Sequence, residues 1–304
     1  MYSYSIMERI GELAAFATAI CWTMGALFFE RGIKHIGVLS VNFYKVVIGF
    51  ILLTITASIM RGMPLPLDAP LRVVIFLSLS GIIGFVITDM FLLTAYDTVG
   101  PRIAMLFMAL TPPVTAIIAY LFLGETIGPR GGLGMSLVIT GILITMLGRQ
   151  NRMSLSKINK KDRKGYIFAV IACLGQSISM ILTRAGIGDY DPVSATQIRI
   201  FAAIIGLGLI SLITTRGANI KNAIKSFEGL KYTTIGAFFG PYLGVTLSLF
   251  ALQRINAGIV STLMGLTPVI IILPEILIFK KKIKLMEIAG ALIAVSGTAV
   301  FFLL

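Results

Sequence analysis

Asp89 stands deep inside an apolar run that begins at Leu71 and reaches Ala95. If that run crosses a bilayer, a charge near its centre costs at least about 2.5–3.5 kcal/mol, so it persists only for a reason. Burial favours the protonated form of a carboxyl, which suits a proton-coupling group or an anchor for a substrate amine. The plainer reading is a carboxyl hydrogen-bonded to a neighbouring helix through Thr88 or Tyr96. Lys45 and Arg199 each lie about seven residues, roughly 10 Å, into an apolar run of their own. Either both snorkel to the interface, or they stand at a cavity rim on opposite membrane sides, pairing with carboxylates or attracting anionic groups. Asn42 and Gln197 precede them and would share that rim. Glu275 follows Pro274, whose missing N–H frees a carbonyl and kinks a helix. It is either a buried acid or shallow enough to reach Lys280 and Lys282. Trp22, Tyr96, Gln176 and Tyr242 are uncharged candidates for lining a cavity. Packing explains a Trp or Tyr in an apolar helix as well, and a second helix can satisfy a lone Gln.

These residues need long helices to position them. The 304-residue chain is 57% hydrophobic and 13% charged, with mean hydropathy +0.96. Soluble domains average about a quarter charged residues. Ten apolar runs, at roughly 12–29, 38–60, 71–95, 101–123, 131–148, 165–185, 193–214, 232–252, 257–279 and 285–304, are long enough to cross about 30 Å of hydrocarbon. The class is an all-α polytopic membrane protein in a lipid bilayer. The net charge of +13 reflects surplus basic residues in loops rather than nucleic-acid binding. Cys21 and Cys173 fall inside apolar runs and read as small buried residues, and His35 sits in a loop, which leaves no metal cluster. No cofactor motif or catalytic signature is present. The first apolar run lacks an Ala-x-Ala-like cleavage site and reads as a retained helix.

The chain is written twice. Met108-Ala109-Leu110-Thr111-Pro112 returns as Met264-Gly265-Leu266-Thr267-Pro268, a shift of 156 that also lays Gly84 on Gly240, Gly134 on Gly290 and Gly141 on Gly297. Earlier in the chain the shift is 154, and Lys45 falls on Arg199. A first repeat over 11–148, a basic linker over 149–164 and a second repeat over 165–304 account for almost every residue. Five spans per repeat is odd, so the second copy enters the membrane in the opposite sense, as inverted repeats do in secondary transporters. Eighteen Lys and Arg lie on the linker side against six on the side of the N-terminus. The positive-inside rule then places the linker in the cytoplasm and both termini outside.

At the duplicated Leu-Thr-Pro helix the chain resembles the drug/metabolite transporter superfamily, specifically its ten-span EamA-type permeases. Cys21-Trp22-Thr23-Met24-Gly25 is similar to the family's first-helix Trp-Gly segment, and Lys45 sits where a basic residue is usual in the second helix. Leu110-Thr111-Pro112 through Leu123-Gly124-Glu125 resembles the fourth helix with its terminal Gly-Glu; the second copy has Lys280-Lys281 there, and Gln176 in place of Trp22. The resemblance implies ten helices around a central cavity and export or exchange of small metabolites, often amino acids, in the cell membrane. Many relatives place both termini in the cytoplasm, opposite to what the loop charges indicate here. The expected protein is a secondary active transporter working by alternating access, with protons as a candidate coupling ion and Pro112, Pro113, Pro268 and Pro274 as candidate hinges. A facilitative exchanger is the nearest rival; a membrane-embedded enzyme would need a cluster of acids or His at one face.

Overall fold

The computed structural model describes residues 2–99, 104, 107, 108, 110–149, 160–270 and 284–303, and every regular element among them is a helix. Pro274, Glu275 and Lys280–Lys282 lie outside the described residues, as do the side chains of Tyr96 and Pro268. The helices fall on the ten expected spans. Tyr2–Arg61 carries the first two, divided at Gly37, whose φ of 75° and ψ of 165° break the helical path at a position that favours glycine. Leu71–Gly81, Ile82–Thr88 and Asp89–Val99 form the third, and Thr111–Leu123 the described body of the fourth. Pro129–Arg149, Lys160–Ile187 and Pro192–Thr215 are the fifth to seventh. Phe227–Ala237, Phe238–Gly244 and Val245–Leu252 form the eighth. Ala257–Met264 with Thr267–Ile270 belongs to the ninth, and Leu285–Leu303 is the tenth. The sixth helix starts at Lys160, so the end of the basic linker is helical rather than looped.

Local chemistry sets the boundaries. Pro192 opens the seventh span, where its missing N–H costs nothing, and Asp191 accepts a hydrogen bond from Ser194 N at 2.8 Å. Gly124, at φ 65°, ends the fourth span in the left-handed conformation. The outer surface is apolar: Ile51, Ile55 and Ile59 are exposed at i, i+4 spacing on the second span, as are Ile205, Leu209 and Ile213 on the seventh. Such stripes suit hydrocarbon and would be a liability in water.

Packing between the halves obeys the repeat. A methyl on Gly141 would meet Gly290 O at 2.5 Å and crowd Ala294; a methyl on Gly297 would meet Gly134 O at 2.9 Å and crowd Val138. The shift of 156 converts one set of contacts into the other, as a twofold axis between the fifth and tenth spans requires. The first span packs on the eighth through Gly25, Gly236 and Gly240. Its mirror image is the sixth span on the third, where Ser179 meets Ser80 and Gly84.

Two departures from α geometry share the same symmetry. Ile82–Thr88 and Phe238–Gly244 are π-helical, and the shift of 156 superposes their boundaries. In the second segment Pro241 has no N–H to offer the ladder. The equivalent residue in the first is Phe85, whose carbonyl accepts a hydrogen bond from Asn42 Nδ2 at 3.0 Å. Single π turns in α-helices occur frequently at functional sites.

Candidate functional site

Asp89 is the first residue beyond the first π segment. Its carboxylate Oδ2 accepts from Lys45 Nζ at 2.5 Å, joining the third span to the second. Thr88, one of the expected partners, has no hydrogen bond from its hydroxyl among the described residues. The Asp89 side chain is 22% accessible and that of Lys45 is 9%, so open space reaches the pair from the carboxylate's side. Lys45 Nζ also lies 5.3 Å from the Phe29 ring centroid and 5.9 Å from that of Phe85.

Arg199 approaches the same phenylalanine from the second half. Its Cζ is 5.5 Å from the Phe85 centroid, and Nη2 donates to Ser179 Oγ at 3.1 Å. The side chain is buried, and Nε has no hydrogen-bond partner among the described residues. The repeat pair therefore does not stand at opposite rims, and neither member snorkels. Both cations converge on Phe85, because the third span packs on the seventh and its π turn takes the Asn42 hydrogen bond from the second. Gly81 permits this: a Cβ there would overlap the Arg199 carbonyl. Cation–π attraction of about 0.5–2 kcal/mol per pair, and the Asp89 carboxylate on Lys45, offset the repulsion of two cations facing one ring.

The other candidates fall into three places. Asn42 joins the cluster through Phe85 O, and its buried Oδ1 has no partner among the described residues. Trp22 lies against Gly244, the end of the second π segment, where a Cβ would come within 2.6 Å of its ring. Tyr242, inside that segment, shares a 2.8 Å hydrogen bond with Thr56 of the second span. Gln176 is half-buried and forms no hydrogen bond among the described residues. Gln197 departs from expectation: it donates to Thr54 Oγ1 at 3.2 Å and Pro64 O at 2.8 Å, toward the N-terminal face and away from Lys45. Pro112 and Pro113 occupy the first turn of Thr111–Leu123, so they start a helix after a break at Leu110. The ninth span resumes at Thr267, after a turn at Gly265 and Leu266.

A residue without an assigned role in the sequence proves to be a tie between the halves. Glu125 Oε1 accepts from Arg184 Nε at 2.7 Å, and Oε2 accepts from Ala257 N at 2.8 Å, capping the ninth span. Arg184 also donates to Leu252 O, and Asn256 Nδ2 to Thr126 O at 2.8 Å. Nearby, Arg61 donates to Asp68 and Ser194, and Tyr190 OH donates to Asp68 at 3.0 Å. Desolvation works against charged Asp68, but the hydrogen bonds from Arg61 and Tyr190 outweigh it and hold its carboxyl below the usual carboxylate range. This tie therefore contributes at neutral pH and is lost as acid protonates Asp68. These bonds close the loops of the N-terminal face on one another.

Glu125→Gln keeps the cap on Ala257 but removes the charge facing Arg184. Closure should weaken by about 1.5–3 kcal/mol, the worth of a hydrogen bond to a charged group. The readout is faster labelling of a cysteine placed at Ser194, which is buried in the closed face. Unchanged labelling would show that Glu125 does not hold the face closed.

Comparison with known proteins agrees with this architecture. Residues 9–147 and 163–303 each match the EamA-like transporter family. An uncharacterized transporter of Bacillus subtilis (strain 168), YyaM, is 24% identical over 224 residues, covering 73% of this chain and 70% of that protein. A crystal structure described no further than as that of a protein shares the fold at TM-score 0.75 and 17% identity, over 95% of both chains.

Proposed function

The chain belongs to the EamA-like transporter family, and from that premise we propose that it is a secondary active transporter exporting small polar or amphipathic metabolites, amino-acid-like solutes among them. That it is a multi-pass membrane transporter of small molecules follows from the family. The proposed mechanism is alternating access between two inverted halves, with Asp89 as the coupling carboxylate. One observation carries it. A single, partly accessible carboxylate holds Lys45 of its own half, and the Phe85 ring next to that lysine also faces Arg199 of the other half. A proton arriving on Asp89 would release Lys45 and leave both cations to repel each other, so protonation and helix packing are linked. Glu275, outside the described residues, is a second candidate acid in the same scheme. Breaks at Leu110 and Leu266 give each half a place to bend beside its prolines. The basic linker is proposed to face the cytoplasm.

The rival reading, a facilitative exchanger, is favoured by the fact that Asp89 already has a full partner in Lys45. Proteoliposomes separate the two. With orientation reported by a cysteine in the linker, a pH gradient of either sign should change the initial rate of solute flux in the coupled transporter. Counterflow of labelled solute with no response to the gradient would establish the exchanger instead.

A further inference from the structure

We propose that the Lys45–Asp89–Arg199 cluster is a receptor for the carboxylate of a monoanionic, amphipathic solute, with Arg199 as the residue that binds it. This rests on the transport reading above and narrows its substrate class. The charges of the cluster do not balance. Among the described residues the cluster holds two cations and one anion, and the anion is in direct contact with Lys45 at 2.5 Å. Arg199 is 8% exposed, yet its described hydrogen bond goes to the neutral hydroxyl of Ser179, and Nε is unfilled. A buried cation without its own counter-ion is costly, and an incoming carboxylate removes that cost. The guanidinium is the side chain best shaped to receive one, because its planar fork matches two carboxylate oxygens.

The same balance excludes other solutes. A substrate ammonium would have to take Asp89 from Lys45 and then face two cations, so amines are disfavoured and zwitterions gain little from the site. On this reading Asp89 serves Lys45 rather than a substrate amine. The walls select the rest of the molecule. Phe29 and Phe85 flank the cations, which favours an apolar body attached to the acid head. Asn42, with its unfilled Oδ1, adds an acceptor near the head group for a hydroxyl or a protonated acid.

The test is a ligand-dependent melting series on the purified full-length protein, using one branched skeleton in three charge states: 4-methylpentanoate, leucine and isopentylamine. At saturating probe the acid should raise the melting midpoint by about 3 °C or more, with leucine giving less and isopentylamine nothing. Arg199→Gln should abolish the acid's shift and Arg199→Lys should keep part of it, since a lysine preserves the charge but not the fork. The order of the three probes on the unmodified protein stands even if a variant fails to fold. A larger shift from leucine or isopentylamine than from the acid overturns the assignment. So does an undiminished acid shift in Arg199→Gln. If instead the acid binds but no probe is carried in counterflow, the receptor stands and the transport reading fails.

Discussion

Asp89→Asn is expected to abolish the response of transport to a pH gradient while leaving slow, gradient-independent exchange. Asparagine keeps the size of the side chain and part of its hydrogen bonding to Lys45, but it cannot exchange a proton. It also removes the negative charge from Lys45, which faces Phe85 together with Arg199. Removing one member of a buried pair costs about 3–5 kcal/mol; with the carboxylate 22% accessible, the cost here falls at the lower end. The variant should therefore also melt earlier. The combined change Lys45→Met with Asp89→Asn removes the orphaned cation and should recover stability without recovering coupling. That contrast separates a coupling role from a structural one. If the single variant still responds to the gradient as the unmodified protein does, the coupling assignment is wrong.

Gly81→Ala should be nearly as damaging, although it adds one methyl and no charge. Its Cβ would overlap the Arg199 carbonyl, a backbone atom that cannot swing aside. Overpacking in ordinary cores costs about 1–3 kcal/mol, and a rigid neighbour lies at or above the top of that range. The third and seventh spans would be forced apart where Arg199 meets Phe85. Both the melting midpoint and the transport rate should fall, the rate by about tenfold for each 1.4 kcal/mol lost from the competent state. Gly132→Ala is the control. Nothing lies within 4 Å of its added methyl, and alanine in a helix is favoured over glycine by about 0.5–1 kcal/mol. Equal losses in the two variants would show that the close approach at Gly81 is not what matters.

Much of the fold was legible from the chain because a bilayer simplifies the problem. Runs of apolar residues had to be helices, and an odd count per repeat had to invert the second copy. The duplicated glycines of the fifth and tenth spans indicated close packing, and they meet across the axis that inversion requires. What could not be read was which buried polar group faces which. Lys45 and Arg199 were recognisable as one ancestral position, but their convergence on Phe85 depends on how the third span packs against the seventh. Gln197 follows the same rule in reverse: it stands two residues from Arg199 in the chain, yet its amide turns toward Pro64. Glu125 was visible within a Gly-Glu motif, but its partners Arg184 and Ala257 belong to the other half and come close only in the folded bundle. The π turns had one local signal, Pro241; nothing comparable marks Phe85.

Those paired turns have a mechanical meaning. A π turn winds one more residue into the same stretch of helix than an α turn, so each half holds one residue of slack at the same point along its length. Relaxing it to α geometry would turn everything beyond by about 100° and advance it by about 1.5 Å. In the first half the residue just past the slack is Asp89, and such a turn would carry its carboxylate off Lys45. In the second half it is Val245, which has no charge to move. The two halves thus contain the same screw, and in one of them it is threaded to an ion pair.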